Sequence, residues 1–160
     1  WGMDAHGLIY LINIFREQGA SHDLQVNKLI EFNARYKPNK SVCESNGFQR
    51  ILAGMAKERG LVNVEEFITT EGNKKDLKSG LPSLSAFFES ARLRVPYGDE
   101  NTRKLVDTMF GEFNSIAFNS KKGTLESVCG HDDICMSSFM AIQDLRENNV
   151  QAMIDFVDLD

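Results

Sequence analysis

Short apolar stretches that suit β-strands alternate along the chain with longer segments whose apolar positions follow helical spacing. Apolar runs rich in β-branched and aromatic residues predict the strands Leu8–Phe15, Ser41–Glu44, Val62–Thr69 and Arg92–Val95, the last as a short edge strand. Apolar positions spaced three and four residues apart predict the helices His22–Tyr36, Gly47–Arg59, Asp99–Asn114 and His131–Arg146. This alternation of strands and helices predicts an α/β domain.

Residues with strong local preferences mark the boundaries of these elements. Asp4–Gly7 has the composition of a hairpin turn, which implies a short strand within Trp1–Met3. Ser21 is the expected cap of the first helix, and Gly60 is the expected stop of the second. The segments between these elements are predicted as a loop or helix start at Thr70–Gly80, a first helical turn at Pro82 and a loop or hairpin tip at Ser115–Gly123. The tail Asn148–Asp160 is predicted to have moderate helical character.

The bulk composition adds limits to this picture. At 160 residues, the chain fits one domain spanning residues 1–160. No apolar run approaches the ~20 residues of a membrane helix, so no membrane partner is expected. The net charge of −5 argues against a surface coated with basic residues for nucleic acid, although local lysine clusters remain.

The cysteine pattern predicts a reducing compartment. The three cysteines are odd in number and lack C-x-x-C spacing, which argues against a disulfide framework or a zinc knuckle. We expect them to be reduced apolar fillers in a cytosolic protein.

Two acidic sites, far apart in sequence, carry the functional hypothesis. Glu44 ends a predicted buried strand, which is where α/β sheets place their sites; the alternative is a solvated glutamate or a helix cap. Asp132 and Asp133 open the last predicted helix, where acids also serve as caps. Asp132 shares a helical face with apolar residues that should point to the core, and an acid on that face needs a partner or a metal.

Taken together these segments resemble the C-terminal nuclease domain of the phage large terminase, the DNA-packaging motor protein. The similarity covers most of the chain. It runs through four segments in order: the strand Leu8–Phe15 with Arg16 after it, Val42–Gln49 (Val-Cys-Glu-Ser-Asn-Gly-Phe-Gln), the lysine-bearing stretch Thr69–Lys78, and His131–Asp133 opening a helix. The resemblance implies an RNase H-like, RuvC-like fold, with a mixed sheet flanked by helices.

The resemblance also implies a function. Three acidic positions of that family bind two Mg²⁺ or Mn²⁺ ions, and two of them fall on Glu44 and on Asp132 or Asp133, with the other aspartate as support. The chain would be an endodeoxyribonuclease that cuts concatemeric duplex DNA, and Lys74, Lys75 and Lys78 could contact the DNA backbone. Implied partners are the terminase ATPase domain, the small terminase subunit and the portal, in the cytoplasm of an infected host cell.

The third acid of the family lies on the opening strand of its sheet, which we expect upstream of Trp1. We therefore expect a gap beside Leu8–Phe15, which a partner chain could fill or Trp1–Met3 could cover in part. We also expect weak metal binding and poor or no cleavage by residues 1–160 alone. Asp4 is the only acid near this end, but it lies in the predicted turn, so the role is not transferred to it. Two alternatives remain open: a non-catalytic α/β interaction module of a packaging complex, and another RNase H-like nuclease such as a resolvase.

Overall fold

The computed structural model of the protein describes residues 1–128, 130–143 and 145 and has a mixed α/β architecture. Its helices are α1 (His22–Tyr36), α2 (Arg50–Glu58), α3 (Glu71–Lys75), α4 (Ser85–Glu89), α5 (Glu100–Ser115) and α6 (133–143), with 3₁₀ turns at Gly47–Gln49 and Leu81–Leu84. Its strands are β1 (Gly2–Met3), β2 (Ile9–Tyr10), β3 (Ser41–Glu44), β4 (Val64–Phe67), β5 (Leu93–Arg94), β6 (Ile116–Asn119) and β7 (Thr124–Ser127). The predicted α/β class is confirmed.

The described strands form three small sheets. In the first, β2 lies between β1, which is antiparallel to it, and β5, which is parallel to it. The second is the parallel pair β3–β4, and the third is the antiparallel pair β6–β7. The chain divides into two compact units: unit 1 contains Trp1–Ile14 and the residues from Glu71 onward, and unit 2 is Phe15–Thr70. The single domain over residues 1–160 stays a prediction.

Unit 2 contains α1, β3, α2 and β4, and the residues at the ends of α1 explain its bounds. The hydroxyl oxygen of Ser21 accepts a hydrogen bond from the backbone N–H of Leu24 at 3.2 Å, which confirms the predicted cap. Lys37 ends the helix in the left-handed conformation, at φ 47°, and Pro38 cannot continue a helix. The buried core of this unit consists of Val26, Ala53, Ala56, Leu61 and Val64.

Unit 1 is built around α5 and α6. The carboxylate of Asp99 caps α5 by accepting a hydrogen bond from the backbone N–H of Thr102 at 3.0 Å. Phe139 and Ile142 of α6 are fully buried. One buried cluster of this unit consists of Leu11, Val106, Met109 and Ile134, which joins the segment after β2 to α5 and α6.

The first sheet confirms the predicted hairpin turn. Asp4 Oδ1 accepts hydrogen bonds from the backbone N–H groups of His6 and Leu8, both at 2.9 Å, and Gly7 adopts φ 76°. The bond from the Leu8 N–H is the main reason that the pKa of Asp4 lies below its usual value. This carboxylate therefore shapes the turn.

The strand predicted over Leu8–Phe15 is much shorter in the structure. β2 has a neighbour on each side, so the gap expected beside this segment is filled along Ile9–Tyr10. The ladder with β5 ends where the backbone N–H of Leu11 donates to the carbonyl of Arg94 at 2.9 Å. In this parallel register the next bond would run from the backbone N–H of residue 96, after β5, to the carbonyl of Leu11. Residue 96 is a proline and has no N–H. The pairing stops there for that reason.

Two further predictions concern the C-terminal part and the membrane. The helix predicted over His131–Arg146 is present as α6, whereas the tail predicted over Asn148–Asp160 lies outside the described residues. Among the residues that the structure describes, no helix combines the length and apolar character that crossing a membrane requires.

Candidate functional site

Glu44 is the last residue of β3 and lies at the edge of the β3–β4 pair where both parallel strands end. The backbone N–H of Ser45 donates to the carbonyl of Phe67 at 2.8 Å, so strand pairing continues to this edge. Gly47 then turns the chain with φ 59°, a conformation that suits glycine. The half-buried carboxylate of Glu44 thus lies where α/β proteins place functional groups.

Asn46 fixes the orientation of this carboxylate. Its Nδ2 donates to Glu44 Oε1 at 3.1 Å and to the carbonyl oxygen of Thr69 at 2.8 Å. The two bonds join the loop after β3 to the segment after β4. Gln49, the other amide side chain of this segment, is exposed and makes no capping bond.

Asp132 and Asp133 stand at the start of α6, and their surroundings differ. The carbonyl of Asp132 accepts a hydrogen bond from the backbone N–H of Met136 at 2.8 Å, and its side chain is 33% exposed. Asp133 and the preceding His131 are exposed. The residues predicted to share the buried face with Asp132 are indeed buried: Cys135, Met136 and Phe139.

The partner of Asp132 is a lysine. Nζ of Lys74, on α3, lies 3.1 Å from Asp132 Oδ2, and the Lys74 side chain is only 14% exposed. Lys75 forms a looser pair with Glu71 at 3.7 Å within the same helix. Lys78 is exposed, beyond the end of α3. The three lysines predicted to contact DNA therefore occupy three different environments.

A buried acid that the sequence reasoning missed supports the start of α6. Glu112 on α5 is 5% exposed, and its Oε2 accepts hydrogen bonds from the backbone N–H groups of Ile134 at 2.7 Å and Cys135 at 3.3 Å. These N–H groups belong to the first turn of α6, where a helix leaves its donors unpaired. A carboxylate there also interacts favourably with the helix dipole.

A sequence signal for Glu112 exists. It follows Val106 and Met109 at intervals of three residues, so the helical periodicity places an acid within the apolar stripe of α5. An acid in such a position requires buried hydrogen-bond donors.

The pKa of the Cys135 thiol depends on burial and on the charges around the start of α6. Burial raises the pKa of its thiol, the carboxylates of Asp132 and Glu112 raise it further, and the ammonium of Lys74 opposes them, giving a value of about 12. We call these four residues the Asp132 cluster. The thiol is therefore neutral near pH 7, in keeping with the predicted role as a small apolar filler. Cys43 is a half-buried free thiol, and Cys129 lies outside the described residues.

The structure thus pairs Asp132 with Lys74 and Glu44 with Asn46. Asp132 and Asp133 belong to unit 1, and Glu44 belongs to unit 2. Within the described residues, no group of three or more His, Cys, Asp or Glu side chains is arranged to hold a metal ion. Each unit by itself presents only part of the predicted set of acids.

Comparison with known proteins gives no match. No protein-family model matches the chain, and no curated protein and no solved structure is significantly similar to it. The resemblance to the terminase nuclease domain therefore rests on the sequence segments described above.

Proposed function

We propose that the protein is a metal-dependent endonuclease of the RNase H-like kind that cuts duplex DNA during viral genome packaging. The supporting observation is the setting of Glu44: a half-buried carboxylate at the carboxyl edge of a parallel strand pair, with one oxygen held by Asn46. A glutamate that merely solubilised a strand end would not need a neighbouring amide to fix its direction. The pattern suits a ligand with a supporting group behind it.

The donor chemistry fits Mg²⁺ or Mn²⁺ at Glu44 and fits less simply at Asp132. Both ions prefer carboxylate oxygens, and Glu44 retains a second oxygen beside the one that Asn46 holds. Asp133 is exposed and can contribute an oxygen. Oδ2 of Asp132 pairs with the ammonium of Lys74, so this positive charge opposes the binding of a divalent cation at the same carboxylate.

In this proposal the chain supplies ligands, orientation and contacts to phosphate. Bound divalent ions supply an activated water and stabilise the oxygen that leaves the scissile phosphate. Glu44 and Asp132 hold the ions, Asp133 assists as ligand or support, and Asn46 keeps Glu44 aligned. Lys75 lies on α3 and Lys78 follows it, and both are proposed to contact the DNA backbone. Such contacts carry no sequence information, so cutting would be nearly independent of sequence.

The biological setting is part of the same proposal. A packaging nuclease would act with an ATPase domain, a small terminase subunit and a portal, in the cytoplasm of the infected cell. The reaction would separate unit genomes from concatemeric DNA.

One observation favours the alternative of a non-catalytic interaction module. Both acids have partners that explain them structurally, since Asn46 donates to Glu44 and Lys74 pairs with Asp132. In that case the acids stabilise the fold and bind no metal. Metal affinity therefore separates the two functions.

The experiment is a calorimetric titration with Mn²⁺ of the wild-type protein, Glu44→Gln and Asp132→Asn. Each substitution should weaken binding at least about tenfold, because even a residue that only orients a metal ligand contributes ~10- to 100-fold to affinity. Glu58→Gln, at an exposed position at the end of α2, is the matched control and should bind as the wild type does. Mn²⁺-dependent nicking of supercoiled plasmid should fall with the same two substitutions.

The nuclease proposal fails if Asp132→Asn changes neither the Mn²⁺ affinity nor the thermal stability measured with the metal. It also fails if nicking survives both substitutions. Unchanged affinity with a loss of stability in Asp132→Asn would support the interaction module instead.

A further inference from the structure

The position that the nuclease proposal assigns to a metal ion at Asp132 is held by a side-chain cation. Nζ of Lys74 lies 3.1 Å from Asp132 Oδ2, a distance at which ion pairing and hydrogen bonding act together. Lys74 is 14% exposed and Asp132 is 33% exposed, so solvent screens this pair less than it screens the surface pairs of the chain. Lys104 and Glu100 on α5 are such a surface pair, 75% and 87% exposed.

The surroundings of the pair are acidic. Glu112 is buried and bound to the first turn of α6. Two carboxylates therefore lie at the start of α6, since Glu112 binds its first turn and Asp132 precedes it, and the ammonium of Lys74 pairs with the second of them. A cation paired with Asp132 is favourable here, whether it is an ammonium or a metal ion.

Lys74 sits on a helix of five residues, and its ammonium is carried on a flexible four-carbon stem. The turn after α3 is held independently, because Asp76 Oδ1 accepts hydrogen bonds from the backbone N–H groups of Lys78 and Ser79 at 2.8 and 2.7 Å. Rotation about side-chain bonds suffices to move the charge away from Asp132.

We propose that Lys74 is an exchangeable counter-ion: it neutralises Asp132 in the metal-free protein and is displaced when a divalent cation binds there. The displaced ammonium is then available to a phosphate of duplex DNA. Metal and DNA therefore strengthen each other's binding through Lys74, and the coupling is reciprocal. This inference rests on the proposed nuclease function and adds its regulation, since metal loading at Asp132 is disfavoured until DNA is present.

The test measures Mn²⁺ affinity by calorimetry in the wild type, Lys74→Met, Lys74→Gln and Lys74→Arg. Removing the competing charge should tighten Mn²⁺ binding about fivefold in Lys74→Met and Lys74→Gln, as expected for loss of a partly exposed ion pair. Lys74→Arg keeps the charge and should bind Mn²⁺ as the wild type does. Lys104→Met removes a lysine from an exposed pair and controls for the change in net charge.

The coupling to DNA is measured as the affinity for a short duplex, by fluorescence anisotropy, with and without Mn²⁺. In the wild type Mn²⁺ should increase the affinity, and in Lys74→Met this increase should shrink about fivefold. Circular dichroism establishes that each variant is folded, and Lys74→Gln replaces Lys74→Met if the methionine variant is not.

The outcomes separate this inference from the proposed function. If Asp132→Asn weakens Mn²⁺ binding but neither neutral variant of Lys74 tightens it, the exchangeable counter-ion is refuted and the nuclease proposal stands. If Asp132→Asn has no effect on Mn²⁺ binding, both are refuted. Weaker Mn²⁺ binding in Lys74→Met and Lys74→Gln would show that Lys74 only supports the fold around Asp132, which also overturns the inference.

Discussion

Truncation of Glu112 should destabilise unit 1 through the first turn of α6. Glu112→Ala removes the acceptor of two backbone N–H groups, at 2.7 Å from Ile134 and 3.3 Å from Cys135, and both groups are buried. Each buried donor left without a partner costs about 1–3 kcal/mol, and the longer bond contributes the smaller part. The expected loss of unfolding free energy is therefore about 3 kcal/mol.

Glu112→Gln separates the hydrogen bonds from the charge. The amide oxygen can still accept from Ile134, but the favourable interaction of a carboxylate with the helix dipole is lost, at a cost of about 1 kcal/mol. Urea unfolding followed by the fluorescence of Trp1 reports on this region, because its indole N–H donates to the hydroxyl of Ser138 on α6. Glu89→Ala, at an exposed position on α4, is the control and should stay within about 0.5 kcal/mol of wild type.

Amide exchange gives a local reading of the same prediction. Exchange at Ile134 and Cys135 should accelerate in Glu112→Ala more than exchange at residues of unit 2 does. The cap assigned to Glu112 is refuted if Glu112→Ala is as stable as Glu89→Ala, or if exchange at these two amides is unchanged.

Three further predictions follow from other contacts. Asn46→Ala should lower the unfolding free energy by about 1–2 kcal/mol, for two lost hydrogen bonds, and should weaken Mn²⁺ binding ~10-fold; unchanged affinity in calorimetry would contradict its orienting role. Phe139→Ala should cost about 3–5 kcal/mol in urea unfolding because the ring is fully buried, and a loss below about 1 kcal/mol would contradict that packing. Hydrogen bonds led by the one from Thr124 lower the pKa of Glu126 from 4.5 to about 2, so its contribution to stability is complete above pH 4.5 and is lost as the pH falls toward 2. An NMR titration of the Glu126 carboxyl should give this low pKa, and Glu126→Gln should remove that part of the acid sensitivity.

Local signals in the sequence predicted much of the fold. α1 has the predicted bounds because Ser21 caps its start and Lys37–Pro38 ends it. β3 also has its predicted bounds, and Glu44 lies at its end. These elements depend on residues close together in the chain, so their boundaries could be inferred without knowledge of the tertiary structure.

Elements that depend on pairing were harder to predict. β6 lies within Ser115–Gly123, where only a loop or hairpin tip was expected, and β7 follows that range. Ala117 and Phe118 are both exposed, so β6 lacks the apolar alternation that predicts a strand. The segment Leu8–Phe15 has strand composition throughout, yet only the part facing β5 is paired. Strand length here is set by the partner, which the local composition does not encode.

The candidate site was also predicted only in part. The sequence identified Glu44 and Asp132 as unusual acids because of their positions at a strand end and a helix start. It did not identify the partner of Asp132, since Lys74 is one of 18 basic residues and lies 58 positions away. Glu112 was not predicted either, because the spacing of apolar residues identifies the buried face of α5 but not an acid within that face.

The central claim is that the carboxylates of Glu44 and Asp132 are ligands of divalent metal ions. The most direct measurement is the NMR line broadening caused by substoichiometric Mn²⁺ in the wild-type protein. The proposal predicts that Mn²⁺ broadens the amide signals of Ser45 and Asn46, next to Glu44, and those of Asp133 and Ile134, next to Asp132. Glu44→Gln should reduce the first effect and Asp132→Asn the second. Absence of broadening at either pair, or broadening that survives the substitution next to it, would contradict the proposed metal ligands.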